Sequence, residues 1–266
     1  ELHRAPYLGL SMDFAEHRAY VPGDDVRHLD WRLFARSDRH YVKQYEAETN
    51  ANVVALVDVS ASMAYGSGAV TKLDYARFLS ASLLHFSRGQ RDRVGLVTFD
   101  NGVVDYVPPS ARNLELALHT LSRIQASAPG ALRPSLLTAA ERLSRRGIVI
   151  LVSDFYEPAD DVVEAVRLLR GRGHDVLAFH VLDPAEVDLP EGESTTYRDM
   201  ESGEVIPVIP ARLRDGYRAQ VEAHVATLRE RFTAERVDYL LLDTSQPLDH
   251  ALFRYLTIRE RKARRR

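Results

Sequence analysis

Three oxygen-bearing side chains stand at alternate positions, directly after an apolar run. Asp58, Ser60 and Ser62 follow residues 53–57, which are all Val, Ala or Leu. A carboxylate and two hydroxyls spaced in this way within a tight loop can converge on one point, and oxygen is the ligand that a hard cation such as Mg²⁺ prefers. The triplet is therefore a candidate metal site with an open position for an acidic group from a partner.

A second acid follows another apolar run. Residues 148–152 are Ile, Val and Leu, and Asp154 stands two positions later. If both runs are neighbouring strands of a parallel sheet, Asp154 lies at the same edge as Asp58, where ligands bind in doubly wound folds. The alternative is structural, because strand-end serines often cap the next helix and an aspartate there often accepts backbone N–H groups. The spacing alone leaves both interpretations open.

Short apolar strands alternate with amphipathic helices through the centre of the chain. Strands are predicted at 53–57, 94–99, 103–107, 148–152, 176–182 and 237–242. Helical spacing is found at 73–86, 114–121, 136–143, 162–169, 217–232 and 248–258. The strand at 103–107 is expected to form a hairpin with the one before it, because Asp100-Asn101-Gly102 is a turn sequence. The alternation predicts an α/β fold with a doubly wound, mostly parallel sheet.

The alternation divides the chain into three parts. Residues 1–49 form an appended N-terminal segment, 50–246 form the main domain, and 247–266 form a C-terminal helix with a basic tail. Within the main domain, a β-hairpin is predicted at about 192–210, around the turn Glu201-Ser202-Gly203. The last eight residues carry six basic groups and one acid. We interpret them as a solvated helix end, so a nucleic-acid partner is not expected.

Composition excludes several classes of protein. The 266 residues are 45% hydrophobic and 27% charged, with a net charge of −3, which is ordinary for a globular protein. Because there is no cysteine, the chain holds no disulfide framework, zinc–thiolate site or thiol nucleophile. No apolar run approaches the length of a membrane-spanning helix, and the first residues do not have a signal-peptide pattern. We therefore expect a cytoplasmic protein.

The chain resembles a known family in two places. Asp58-x-Ser60-x-Ser62 after a strand is similar to the metal-ion-dependent adhesion site of von Willebrand factor type A domains, and Asp154 is similar to the later acid of that site. Residues 14–31, Phe-Ala-Glu-His-Arg-x-Tyr-x-Pro-Gly-Asp-Asp-x-Arg-x-x-Asp-Trp, resemble the signature of the bacterial "domain of unknown function 58" family. The end of the chain from Asp243 is also similar to that family, so the resemblance covers nearly the whole length.

The resemblance implies a fold and a set of partners. It implies a type A-like, Rossmann-like domain that acts as a non-enzymatic protein-binding module. Such proteins are commonly grouped with MoxR-type AAA+ ATPases, so it implies such an ATPase as partner, in chaperone-like maturation. The metal would be Mg²⁺, held by Asp58, Ser60, Ser62 and Asp154, and it would bind an acidic side chain of the partner.

One position departs from the type A pattern, in which a threonine hydroxyl belongs to the metal site. By spacing, Gly130 falls near that position and offers no hydroxyl. Ser127 and Ser135 are the nearby residues that could replace it, and Arg133 would bring a positive charge to the site. We therefore expect a degenerate site with weakened affinity for Mg²⁺.

The competing hypothesis is a Mg²⁺-dependent phosphohydrolase with Asp58 as the nucleophile. Such an enzyme needs an acid two residues later to protonate the leaving group. Ser60 occupies that position, and a hydroxyl is a poor proton donor near neutral pH. The chain also lacks the glycine-rich phosphate-binding loops and the Gly-x-Ser-x-Gly elbow of common enzyme folds. We therefore expect no enzymatic activity.

Overall fold

The computed structural model describes residues 12–22, 24, 29–47, 51–190, 195–249, 252, 253 and 256. The chain forms two compact units, one of residues 51–255 and one of residues 1–50 with 256–266. In the unit that contains the N-terminal segment, strands Met12–Ala19 (β1) and Tyr41–Ala47 (β2) pair antiparallel. Helix Trp31–Ser37 (α1) lies between them in the chain, and Asp30 caps its first turn through its side chain.

The larger unit is built on one sheet, whose strands are Asn52–Asp58 (β3), Arg93–Phe99 (β4), Val103–Ser110 (β5), Gly147–Ser153 (β6), Asp175–Leu182 (β7) and Asp238–Asp243 (β10). Their spatial order is β10-β7-β6-β3-β4-β5, and all neighbours are parallel except the β4–β5 hairpin. This order confirms the predicted doubly wound α/β fold with a mostly parallel sheet. Every residue of β3 is buried, because strands flank it and helices cover it, which explains its continuous apolar run.

The helices follow the strands as the sequence pattern predicts. They are Lys72–Gly89 (α2), Leu114–Arg123 (α3), Leu132–Arg142 (α4), Ala159–Gly171 (α5), Pro184–Val187 (α6) and Pro210–Ala234 (α7). Helices α4, α5 and α7 cover the core that contains alternate β3 residues, Val54 and Leu56. Helices α2 and α3 contact each other and the sheet. None of the helices in the described residues is long and apolar enough to cross a membrane.

The connection between β7 and α7 differs in part from the prediction. The inserted hairpin is present as Thr195–Arg198 (β8) paired with Val205–Val208 (β9). Helix α6 was not predicted; Asp183 and Glu186 form a capping box that begins this single turn. Residues 248, 249, 252, 253 and 256 are helical, whereas the other residues of the predicted helix at 248–258 and the basic tail lie outside the described residues.

Candidate functional site

The four candidate residues lie at the carboxyl-end edge of the sheet, where β3 and β6 run side by side. Val57 of β3 pairs with Val152 of β6, so Asp58 and Asp154 follow neighbouring strands. After β3 the chain continues to β4, which lies on one side of β3, whereas β6 lies on the other side of β3. Such a point of reversal is where doubly wound folds bind ligands. The side chains that meet there are no more than 7% exposed, namely Asp58, Ser60, Ser62 and Asp154.

Both oxygens of Asp58 accept hydrogen bonds within this edge. The backbone N–H of Ser60 donates to Oδ1 (2.9 Å), and the hydroxyl of Ser153 donates to Oδ2 (2.6 Å). Burial raises the pKa of Asp58 to about 7, and the nearby charge of Asp154 acts in the same direction. The hydrogen bonds from Ser153 and Ser60 oppose that rise in pKa. Asp58 therefore holds the serine loop against the end of the neighbouring strand.

The two serine hydroxyls of the loop lie close to each other and to the segment that contains Gly130. Ser60 Oγ and Ser62 Oγ are 3.2 Å apart. The N–H of Ala61 donates to the Ala128 carbonyl (2.9 Å), which ties the loop to this segment. A Cβ atom at Gly130 would lie 3.1 Å from Ser60 Cβ, so glycine permits the close approach of this segment to the Ser60 side chain. The absence of a hydroxyl at position 130 is thus accompanied by tight packing against Ser60.

A carboxylate from the inserted hairpin occupies the space beside this loop. Glu201 stands in the turn between β8 and β9, and its Oε1 accepts the N–H of Ser62 at 3.2 Å. Its Oε2 accepts the N–H of Gly130 at 2.6 Å. The sequence predicts a turn at residues 201–203 and no role for Glu201. The sequence does show an acidic residue at the tip of a predicted hairpin. It does not show which part of the sheet the tip contacts.

The second missed residue is Lys72, at the first position of α2. Thr71 and Asp74 form a capping box that begins the helix here, and the Lys72 side chain is completely buried. Its Nζ donates to Asp154 Oδ2 and to Glu186 Oε1, each at 2.7 Å. Burial by itself would lower the pKa of Lys72, but the two carboxylates outweigh it and raise the pKa. Asp154 is thus neutralised by a lysine that the sequence analysis did not identify.

The residues proposed to compensate for Gly130 have other partners. Ser127 Oγ donates to Asp100 Oδ2 (3.2 Å), and Ser135 Oγ donates to the Asp100 carbonyl (2.9 Å). Arg133 pairs with Glu164 of α5 (2.8 Å), with both side chains more than half exposed. Lys72, rather than Arg133, therefore supplies the positive charge observed beside Asp154.

The donor atoms fit a hard cation in part. Among the described residues, no cluster of three or more His, Asp or Glu side chains could hold a metal. The two serine hydroxyls are 3.2 Å apart, close to the separation of about 3 Å expected for adjacent ligands of an octahedral Mg²⁺. Asp58 is within hydrogen-bonding reach of the same loop, whereas Oδ2 of Asp154 is bound to Lys72. The fit of this edge to a hard cation therefore rests on Ser60, Ser62 and Asp58.

Comparison with known proteins places the chain in a family. It matches the family described as "Protein of unknown function DUF58" over residues 16–227. It is 32% identical to "Uncharacterized protein Rv1480" of Mycobacterium tuberculosis over 257 residues, which cover 93% of this chain and 80% of that protein. The fold is a doubly wound α/β fold with a mostly parallel sheet, and the chain belongs to the DUF58 family.

Solved structures agree with this fold. An aerotolerance-related membrane protein from Bacteroides fragilis is 20% identical, with a TM-score of 0.54 over 73% of this chain and 92% of that chain. The SpRpn10 VWA domain is 10% identical, with a TM-score of 0.47 over 75% of this chain and 92% of that chain. At 20% identity, the likeness to the Bacteroides fragilis protein concerns the fold alone.

Proposed function

We propose that the chain is a non-enzymatic protein-interaction module that docks a partner at the edge formed by Asp58, Ser60, Ser62 and Gly130. The observation that carries this proposal is that the edge already holds a carboxylate, that of Glu201, on two backbone N–H groups. An Asp or Glu side chain of a partner offers the same two oxygens. A type A-like fold is suited to such a role, because its strand-end loops present the site at the surface of a rigid sheet.

The chemistry of Asp58 supports binding over catalysis. A nucleophilic carboxylate needs a free oxygen facing the substrate, but both oxygens of Asp58 accept hydrogen bonds from Ser60 and Ser153. The side chain is also only 6% exposed. A serine stands where a phosphohydrolase of this kind would need its general acid. We therefore propose that the chain is not an enzyme.

We further propose that Mg²⁺ binds at this site. Ser60 and Ser62 would be direct ligands, and Asp58 would act through a water molecule. Asp154 would contribute negative charge from beyond the ligands, because its Oδ2 is held by Lys72. When bound, the ion would supply positive charge that attracts an acidic side chain of the partner. Gly130 adds no ligand, so we expect weak binding.

For the partner we propose a MoxR-type AAA+ ATPase, in chaperone-like maturation of other proteins. The support is the family membership together with the resemblance on which the sequence analysis relied. The partner would present an Asp or Glu at the contact. Nucleic acid is not expected to bind, and the cytoplasmic location stays a prediction.

The test is a binding measurement between the full chain and a purified MoxR-type ATPase, with Mg²⁺ and then with a chelator. We expect Ser62→Ala to weaken binding by about tenfold, as loss of one well-made polar contact does. Ser122→Ala is the matched control, because Ser122 is an exposed serine of α3 whose hydroxyl bonds a carbonyl within its own helix. Equal binding by Ser62→Ala and the unmodified chain would exclude a role for the Ser62 hydroxyl in docking, and no binding of the ATPase to the unmodified chain, with or without Mg²⁺, would contradict the proposed function.

Two further outcomes would separate the parts of this proposal. A calorimetric titration that gives no heat at millimolar Mg²⁺ would remove the ion but leave the docking site. A phosphatase activity that Asp58→Asn abolishes would overturn the non-enzymatic function and favour the phosphohydrolase.

A further inference from the structure

The tip of the inserted hairpin is built to present one side chain. The N–H groups of Glu201 and Ser202 both donate to Asp199 Oδ1, at 2.8 and 3.3 Å. These backbone hydrogen bonds lower the pKa of Asp199, so this carboxylate stays ionised and continues to accept them. Gly203 has φ +73°, a left-handed conformation that glycine adopts without strain, and closes the turn. Glu201 is thereby held at the apex of the tip.

Glu201 is also what joins the hairpin to the sheet edge. Within residues 195–208, the hydrogen bonds that reach other parts of the described chain are the two accepted by Glu201. The apolar side chains of β9 offer little further attachment, since Val205 and Ile206 are each 50% exposed. The hydrogen bonding of the hairpin to the sheet edge therefore depends on one carboxylate.

The groups that hold Glu201 are neutral and come from two separate loops. The donors are the backbone N–H of Ser62 and that of Gly130, which lie 139 and 71 residues from Glu201 in the chain. Among the described residues, Glu201 has no ion pair with a lysine, arginine or histidine. Another carboxylate can accept the same two hydrogen bonds. Replacement of Glu201 by that carboxylate therefore costs neither of them.

We propose that the N–H groups of Ser62 and Gly130 form a carboxylate-binding cradle and that Glu201 is its internal ligand. The hairpin thereby covers the docking edge until an acidic side chain of a partner protein displaces Glu201. The cradle rests on the observed contacts, while its role in competition with a partner rests on the proposed function. The ligand class is an Asp or Glu side chain, bound through main-chain donors with no requirement for a metal.

The first test measures amide hydrogen exchange in the full chain at single-residue resolution by NMR. In Glu201→Ala, we expect the amides of Ser62 and Gly130 to exchange about tenfold faster or more, because each loses a charged acceptor. Glu204→Ala is the matched control, since Glu204 is an exposed glutamate of the same hairpin. Unchanged protection of both amides in Glu201→Ala would overturn the cradle.

The second test fills the emptied cradle with a fragment. Glu201→Ala removes the atoms of one acetate ion, so acetate is the probe, with acetamide as the neutral control at constant ionic strength. We expect acetate to restore protection of Ser62 and Gly130 saturably, and acetamide to have no effect. The required concentration is on the order of 100 mM, because a fragment of four heavy atoms binds weakly. No saturable change in either amide would overturn the proposal that the cradle accepts free carboxylates.

The third test asks whether the hairpin competes with a partner. We expect Glu201→Ala to bind the MoxR-type ATPase about tenfold more tightly than the unmodified chain, and Glu204→Ala to bind it equally. Equal or weaker binding by Glu201→Ala would overturn the covering role. The exchange and acetate measurements need no partner. If they succeed while no variant binds the ATPase, the proposed partner fails and the cradle stands.

Discussion

Two acids end neighbouring strands of the same sheet, but their surroundings are opposite in kind. Asp154 faces the buried ammonium group of Lys72, which it shares with Glu186. Asp58 is held by a hydroxyl and a backbone N–H, and its pKa is raised to about 7 by burial and by the charge of Asp154. One half of the edge is thus a closed ion cluster, and the other is a set of neutral donors.

This difference assigns separate roles to the two halves. In the cluster of Lys72, Asp154 and Glu186, the first two residues are buried and the Glu186 side chain is 13% exposed. The cluster balances its own charge in part with a lysine on α2. A structural role follows, because separating these groups would expose charges to an apolar interior. The half that contains Ser62 and Gly130 holds a carboxylate on neutral donors. Exchange of ligands is therefore expected only in that half.

The largest effect is expected from Lys72→Met, which keeps an unbranched side chain, one atom shorter, and removes its charge. It would leave the carboxylates of Asp154 and Glu186 without their buried cation. We expect the free energy of unfolding to fall by about 3–5 kcal/mol, the usual cost of breaking a buried ion pair from one side. Urea unfolding at pH 7 followed by circular dichroism measures this change.

Arg218→Met is the control for Lys72→Met. Arg218 pairs with Glu222 one turn further along α7, and both side chains are more than half exposed. Its substitution should leave the free energy of unfolding nearly unchanged, because solvent screens an exposed pair. A cost for Lys72→Met as small as that of the control would show that the ion cluster does not stabilise the fold.

A second prediction concerns pH and the layer beneath the ion cluster. His180 of β7 pairs with Ser153 of β6 and is buried against Tyr239, His224 and Phe155. Burial lowers its pKa from 6.5 to about 3, and the charges of His224 and Lys72 act in the same direction. Between these values the unfolded chain binds a proton that the folded chain does not bind. The contribution of His180 to stability should therefore fall as pH decreases below 6.5, by up to about 1.4 kcal/mol per pH unit. The raised pKa of Asp58 acts in the opposite direction over the same pH range, so the His180 contribution is measured as a difference between variants.

The contribution of His180 can be isolated by substitution. His180→Asn keeps an acceptor for the Tyr239 hydroxyl, which lies 2.7 Å from His180 Nδ1, but removes the titrating ring. Unfolding midpoints in urea, measured from pH 7 to pH 4.5, should decline less steeply for this variant than for the unmodified chain. Equal slopes for both proteins would assign the acid sensitivity to other groups.

The fold was predictable because its information is local. The apolar runs at 53–57 and 148–152 and the helical spacing that follows each run predict strand–helix alternation, and the topology confirms it. Helix α6 was missed because it is one turn long and is set by a capping box rather than by apolar spacing. A four-residue helix has too few apolar positions to produce a periodic pattern.

The site was predictable only where its residues follow strands. Asp58 and Asp154 were chosen because strand ends meet at one edge, and the structure places them on neighbouring strands. Lys72 and Glu201 reach the same edge from a helix start and from an inserted hairpin. Their positions depend on long-range packing, and in sequence a buried lysine looks like any solvated one. Binding of Mg²⁺ at this edge of the sheet stays a prediction.

The smallest effect is expected from Arg133→Gln, which tests whether the half of the edge near Gly130 needs the positive charge that the sequence predicts there. Arg133 pairs with Glu164, and the two side chains are 61% and 51% exposed. Solvent and salt screen such a pair, so the free energy of unfolding should change by about 0.5 kcal/mol or less. Amide exchange at Ser62 should stay the same, because Glu201 binds backbone donors rather than this arginine. Faster exchange at Ser62 in Arg133→Gln, without global destabilisation, would show that Arg133 helps to hold Glu201. The contrast between a charged half and a neutral half would then be wrong.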